Sequence, residues 1–167
     1  MNIPIILMCS AMLTCTSPVF PTVEASPSTV EIAVQSDDAD HKEDSMITLI
    51  NEARANAGLP PVQENAVLNE IAQVRLQEIM VSFSHERPDG HTKAELLEAA
   101  GVSPSNYMSE NIISGTAEST PESLMKSFMA SSVHRAWILS EEVNAVGVAI
   151  GRNEYNQIYA VQIFGCF

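Results

Sequence analysis

The chain has 167 residues, 46% of them hydrophobic, enough for one substantial buried core, so a single domain is the default expectation. Its formal net charge is −13, and its eight Lys and Arg residues are scattered singly. That leaves no basic stripe to neutralise phosphates, which argues against a nucleic-acid partner, and anionic lipid surfaces repel such a chain unless a divalent cation intervenes. Neutral, cationic or metal-bridged ligands suit this charge better.

Residues 3–15 form an apolar run that is too short for a transmembrane helix but has the length of a signal-peptide core. Val23-Glu24-Ala25 offers small residues at both positions that a signal peptidase reads. Residues 1–25 are therefore expected to be a signal peptide, with the mature chain secreted or displayed on the extracellular face. No Lys or Arg precedes the run, so membrane anchoring by an uncleaved segment, or by a lipid on Cys15, stays open as the alternative. Cleavage would remove Cys9 and Cys15 and leave Cys166 without a disulfide partner. Nothing in the sequence supplies Cys166 with a base, so it is expected as a packed thiol.

Residues 26–44 are rich in Ser, Pro, Asp and Glu, and from Ser36 to Asp44 the only apolar residue is Ala39. This composition predicts an acidic, disordered linker containing a solvated His41, with the domain proper at residues 45–167. Ser45 is placed to cap a first helix carrying Met46, Leu49, Ile50 and Ala53, which Gly58 and Pro60 stop. A second helix follows Asn65, with Leu68, Ile71, Ala72, Leu76 and Ile79 on one face. Arg75 interrupts that face and must either snorkel to the surface or reach a buried acceptor. Thr92-Lys93-Ala94-Glu95 is a capping-box pattern opening a third helix that ends at Gly101, and Thr120-Pro121-Glu122 opens a fourth. A helical turn through Trp137 and Leu139 comes next, with Trp137 expected in the core.

The C-terminal third reads differently, because residues 145–150 and 158–164 are β-rich runs separated by a polar segment, as in an antiparallel hairpin. Residues 110–113 form a third strand candidate. The fold class predicted is α+β, an α-β-α sandwich with a small, mainly antiparallel sheet flanked by helices.

Three residues stand out for chemistry. His85 precedes Pro88-Asp89-Gly90, a turn signature that puts the histidine at a loop mouth. Glu110 begins an apolar strand and needs a partner to offset its desolvation. His134 lies between helical stretches. Their spacing, about 25 residues each, matches no local metal or nucleophile motif.

Taken in order, the segments resemble the bacterial branch of the CAP superfamily of cysteine-rich secretory proteins, antigen 5 and pathogenesis-related proteins. The opening helix is Leu49-Ile50-Asn51-Glu52-Ala53-Arg54. Phe83-Ser84-His85 resembles the loop with the first family histidine, Glu110-Asn111-Ile112 the strand with the glutamate, and His134-Arg135 the segment with the second histidine. Gly147-Val148 and Val161-Gln162-Ile163-Phe164-Gly165 resemble the closing hairpin. Ser131 stands where the eukaryotic branch has a second glutamate, so only His85, Glu110 and His134 are carried over.

The resemblance implies a cleft lined by these three residues, in which His85 and His134 hold a divalent metal such as zinc and Glu110 acts as a ligand or orients an imidazole. The ligand class is open among lipid, peptide, cell-wall component and protein. Binding without turnover is the first expectation, and the alternative is a metal- or Glu110-dependent extracellular hydrolase acting on peptide or cell-wall polymer.

Overall fold

The computed structural model describes residues 36–167. The expected signal peptide at residues 1–25 and the linker residues 26–35 lie outside the described residues. The rest of the expected linker is helical: α1 runs Ser36–Asn56, so its first turns are built from the charged segment read as disordered. The physical reason is a tertiary anchor that composition does not reveal. Glu43 Oε1 accepts the backbone N–H of Ile150 at 3.1 Å and the Gln73 side-chain amide at 2.8 Å. Ser45 therefore lies inside the helix, where its hydroxyl donates to the His41 carbonyl at 2.6 Å.

The remaining elements are β1 (Gln63–Glu64), α2 (Ala66–Val81), α3 (Lys93–Ala99), β2 (Tyr107–Gly115), α4 (Pro121–Ala130), α5 (Ser132–Ile138), β3 (Ala145–Arg152) and β4 (Ile158–Gly165). Three helix starts follow their capping residues. The Asn65 side chain accepts from the N–H groups of Val67 and Leu68, and Thr92 and Thr120 each form a capping box. Past α3 the chain turns at Gly101, whose φ of 75° is a conformation that glycine adopts without strain.

The strands form one sheet in the order β1-β3-β4-β2. β3 and β4 pair as the expected antiparallel hairpin, β2 adds antiparallel to β4, and only the two-residue β1 pairs in parallel, with β3. One face of the sheet packs Val146, Val148 and Phe164 on Met46, Ile50 and Phe128 of α1 and α4. The other packs Val161, Ile163 and Ile112 on Leu68, Ile71 and Leu76 of α2. The result is the α-β-α sandwich expected. β4 lies between both layers and is buried at every position, which is why it reads as an apolar run interrupted by Gln162 rather than as an alternating one.

Two details fix the layers. Arg54 on α1 is fully buried, and its guanidinium donates to the carbonyls of Pro60, Ile138, Ser140 and Val143 at 2.8 to 3.3 Å. Burial draws its pKa below the usual arginine value, and the carbonyls tie α1 to the end of α5. On the opposite layer, the α2 backbone lies directly on Gly147 of β3. A Cβ there would sit 2.1 Å from the Leu68 carbonyl carbon.

Trp137 packs, partly buried, against the core on the α1 side. Cys166, expected as a packed thiol, is instead exposed. It lies just past the end of β4, held through its backbone: its N–H donates to the Asn106 carbonyl at 2.9 Å and its carbonyl accepts from the Asn106 side chain at 2.7 Å.

Candidate functional site

β2 is an edge strand, and successive residues on a strand point to opposite faces. Glu110 points to the α2 side, and Asn111 points to the α4–α5 side.

The Glu110 side chain is 0% exposed. Arg75 of α2 donates to it through Nε at 2.6 Å and Nη2 at 3.3 Å, which answers where the cation on the apolar face of α2 goes. His85 Nδ1 lies 2.8 Å and Lys93 Nζ 3.3 Å from the same oxygen, Oε1. Burial alone would raise the carboxyl pKa, but the Arg75 hydrogen bond, the charges of Lys93 and Arg75 and the His85 contact outweigh it. Glu110 is thereby held below the usual carboxylate range.

Arg75 also pairs with Glu78 and donates to the Ser84 carbonyl at 2.8 Å. Glu78 in turn accepts two bonds from Arg87, at 2.9 and 2.7 Å, and Arg87 reaches Asp89 at 2.7 Å. The loop that carries His85 is thus tied to α2 on both sides of the histidine. Burial, reinforced by the negative charge of Glu110, pushes the Tyr107 hydroxyl far above its ordinary pKa, so it stays a phenol beneath Lys93.

On the opposite face, the Asn111 side-chain amide donates to the His134 carbonyl at 3.1 Å and to Gln162 Oε1 at 3.0 Å. Gln162 is its register partner on β4. His134 sits in the first turn of α5, which Ser131 caps, and its ring stands edge-on to Phe128 with centroids 5.3 Å apart. Burial, and then the neighbouring His85, lower the His134 pKa and keep the imidazole neutral near pH 7. Its Nδ1 is buried and has no hydrogen-bond partner.

The geometry therefore joins His85 directly to Glu110 on one face of β2, while on the other face His134 stacks edge-on to Phe128 and is held through its carbonyl by Asn111. Among the described residues, no hydrogen bond links Glu110 to His134, and no three His, Cys, Asp or Glu residues are grouped to hold a metal. His91 is paired with Glu95 on the surface at 3.2 Å, and His41 is exposed on α1.

The His85 tautomer that gives its Nδ1–H to Glu110 leaves the Nε2 lone pair available on a side chain that is 54% exposed. A carboxylate behind an imidazole is the arrangement that orients metal-binding histidines. Both Glu110 oxygens are already engaged by cations, so among the three residues the imidazoles of His85 and His134 are the groups with nitrogens left that could be offered to a metal.

Sequence reasoning did not single out Asn111, Gln162, Arg87 or Lys93. Gln162 carried a signal, being a polar residue inside the β4 run, and so did Asn111 beside Glu110. Lys93 had none, because its role depends on how α3 docks.

The model of the cysteine-rich secretory protein family, CAP, matches residues 47–164. The chain belongs to this family. The uncharacterized Bacillus subtilis protein YkwD is similar to it, 30% identical over 125 residues that make up 74% of this chain and 47% of YkwD. The chain thus spans about half the length of that CAP relative. Among solved structures, a cysteine-rich secretory protein from Staphylococcus aureus matches with a TM-score of 0.62 and 23% identity, over 78% of this chain and 40% of that one. An outer surface protein from Borrelia burgdorferi matches at 0.61 and 13% identity, over 75% of this chain and 92% of that one. At these identities the structural likenesses show that the CAP fold is shared.

Proposed function

We propose that the chain is an exported CAP-domain protein whose cleft at His85, Glu110 and His134 binds an extracellular ligand, with a divalent metal such as zinc held by the two histidines. One observation carries this reading. Glu110 is buried, charged and fully engaged, and it reaches outward through the 54% exposed His85 ring, with Lys93, 29% exposed, beside it. Arg75 fixes the carboxylate, the carboxylate fixes the imidazole, and the imidazole faces solvent. His134 supplies a second, neutral nitrogen donor. A metal bound there would supply a positive centre for a ligand oxygen or nitrogen. Export is supported by the family itself and by the surface location of the Borrelia relative.

Hydrolysis with Glu110 as general base has less support. A base must reach substrate and accept a proton, whereas Glu110 is enclosed and held ionised by cations.

Zinc titration tests the proposal. A ligand that binds only the folded state stabilises it by about 2.7 kcal/mol at a hundredfold excess over Kd. Zinc should therefore raise the melting temperature of the parent and leave a folded His85→Ala/His134→Ala variant unchanged. An equal rise in both would sink the histidine site.

A further inference from the structure

We infer that the pocket beside His85 receives an anionic group of the ligand, a carboxylate or a phosphate, seated against Lys93. The inference deepens, and rests on, the proposal that the cleft at His85 binds a ligand. The pocket holds about 330 Å³, and its walls include His85, Glu86, Arg87, His91 and Lys93. In a chain with a net charge of −13, cationic and protonatable side chains dominate this one stretch of loop.

The surrounding charges point the same way. Three cations, Arg75, Arg87 and Lys93, are gathered on two enclosed carboxylates, Glu78 and Glu110. Arg75 already holds Glu110 through two contacts, so Lys93 is a second positive neighbour at 3.3 Å, and its side chain stays 29% exposed. Asp89 balances Arg87 from the rim, where it is 41% exposed. Glu95 is committed to the α3 cap and to His91. Lys93 therefore has charge to offer a ligand. Imidazole ligands bring no negative charge, so a metal held by His85 and His134 would also gain from an anionic group on the ligand. Glu86 is the carboxylate in the pocket wall that opposes this preference.

The test uses the full chain, titrated with inorganic phosphate and separately with acetate while NMR follows the His85 and His91 ring signals. Phosphate or acetate should shift the His85 signals saturably, and the stronger of the two assigns the ligand group as phosphate or carboxylate. Lys93→Met should weaken the binding by about fivefold or more, as expected for loss of one charge-assisted contact. Lys93→Arg should retain it, and Glu86→Gln should strengthen it. Neither anion producing a saturable His85 shift in the parent, or equal affinity in a folded Lys93→Met variant, overturns the inference. Should Lys93→Met not fold, Glu86→Gln decides, and no gain in affinity there overturns it. Zinc, titrated without phosphate and read on His134, reports separately on the metal, so either idea can fail while the other stands.

Discussion

Glu110 shows how far one residue's role can depend on neighbours distant in sequence. Read alone, it needed a partner to offset its desolvation, and that partner, Arg75, makes it part of the fold as well as a neighbour of His85. Arg75 is 1% exposed and Glu110 0%, and removing one charge of such a pair leaves the other buried and undercompensated. Glu110→Gln is expected to cost about 3 kcal/mol in urea denaturation. Adding Arg75→Met should recover part of that loss, because replacing both partners by apolar or neutral groups is less costly than breaking the pair. Strictly additive losses would show that the two residues act independently. Arg75 was legible as a cation in an apolar stripe and Glu110 as an acid in a strand. Their pairing was not legible, because 35 residues separate them.

At the level of elements, the sequence was most informative where a local rule applied. Asn65, Thr92 and Thr120 cap the helices they were expected to cap, since capping needs only residues two or three positions away. The hairpin of β3 and β4 was equally readable. The start of α1 and the two-residue β1 were not, because Glu43 is anchored by a distant strand and β1 is too short to show a period. Gly147 carries the packing of α2 on β3. Gly147→Ala would drive a methyl into helix backbone that cannot rotate aside, and the expected loss is about 3 kcal/mol. Thermal denaturation measures it. A loss under about 1 kcal/mol would mean that α2 can move off the strand freely.

For the molecule as a whole, His134 and Glu110 couple stability to pH. The folded-state pKa of His134 lies below its ordinary 6.5, so the unfolded chain takes up that proton first as pH falls. Its contribution is complete above 6.5 and declines as pH drops through that value toward the lower folded one. Glu110 is also depressed, but from 4.5, so its contribution is lost only in more acidic solution, as pH falls through its lowered folded value. With chelator present, the melting temperature should fall between about pH 7.5 and 5.5, and the fall should be shallower in His134→Gln. An unchanged slope would assign the effect to other groups.

The alternation at Glu110 and Asn111 bears on how relatives of this chain can diverge. One face of β2 supplies the carboxylate to His85 and the other the amide that grips the His134 carbonyl. The proposed cleft would thus be written in the odd and even positions of a single strand. Lineages can lengthen or shorten the turn at residues 153–157 without disturbing that parity. The gain or loss of a single residue just before Glu110, carried into the pairing with β4, would exchange the two faces and erase the cleft while the sandwich around it survived.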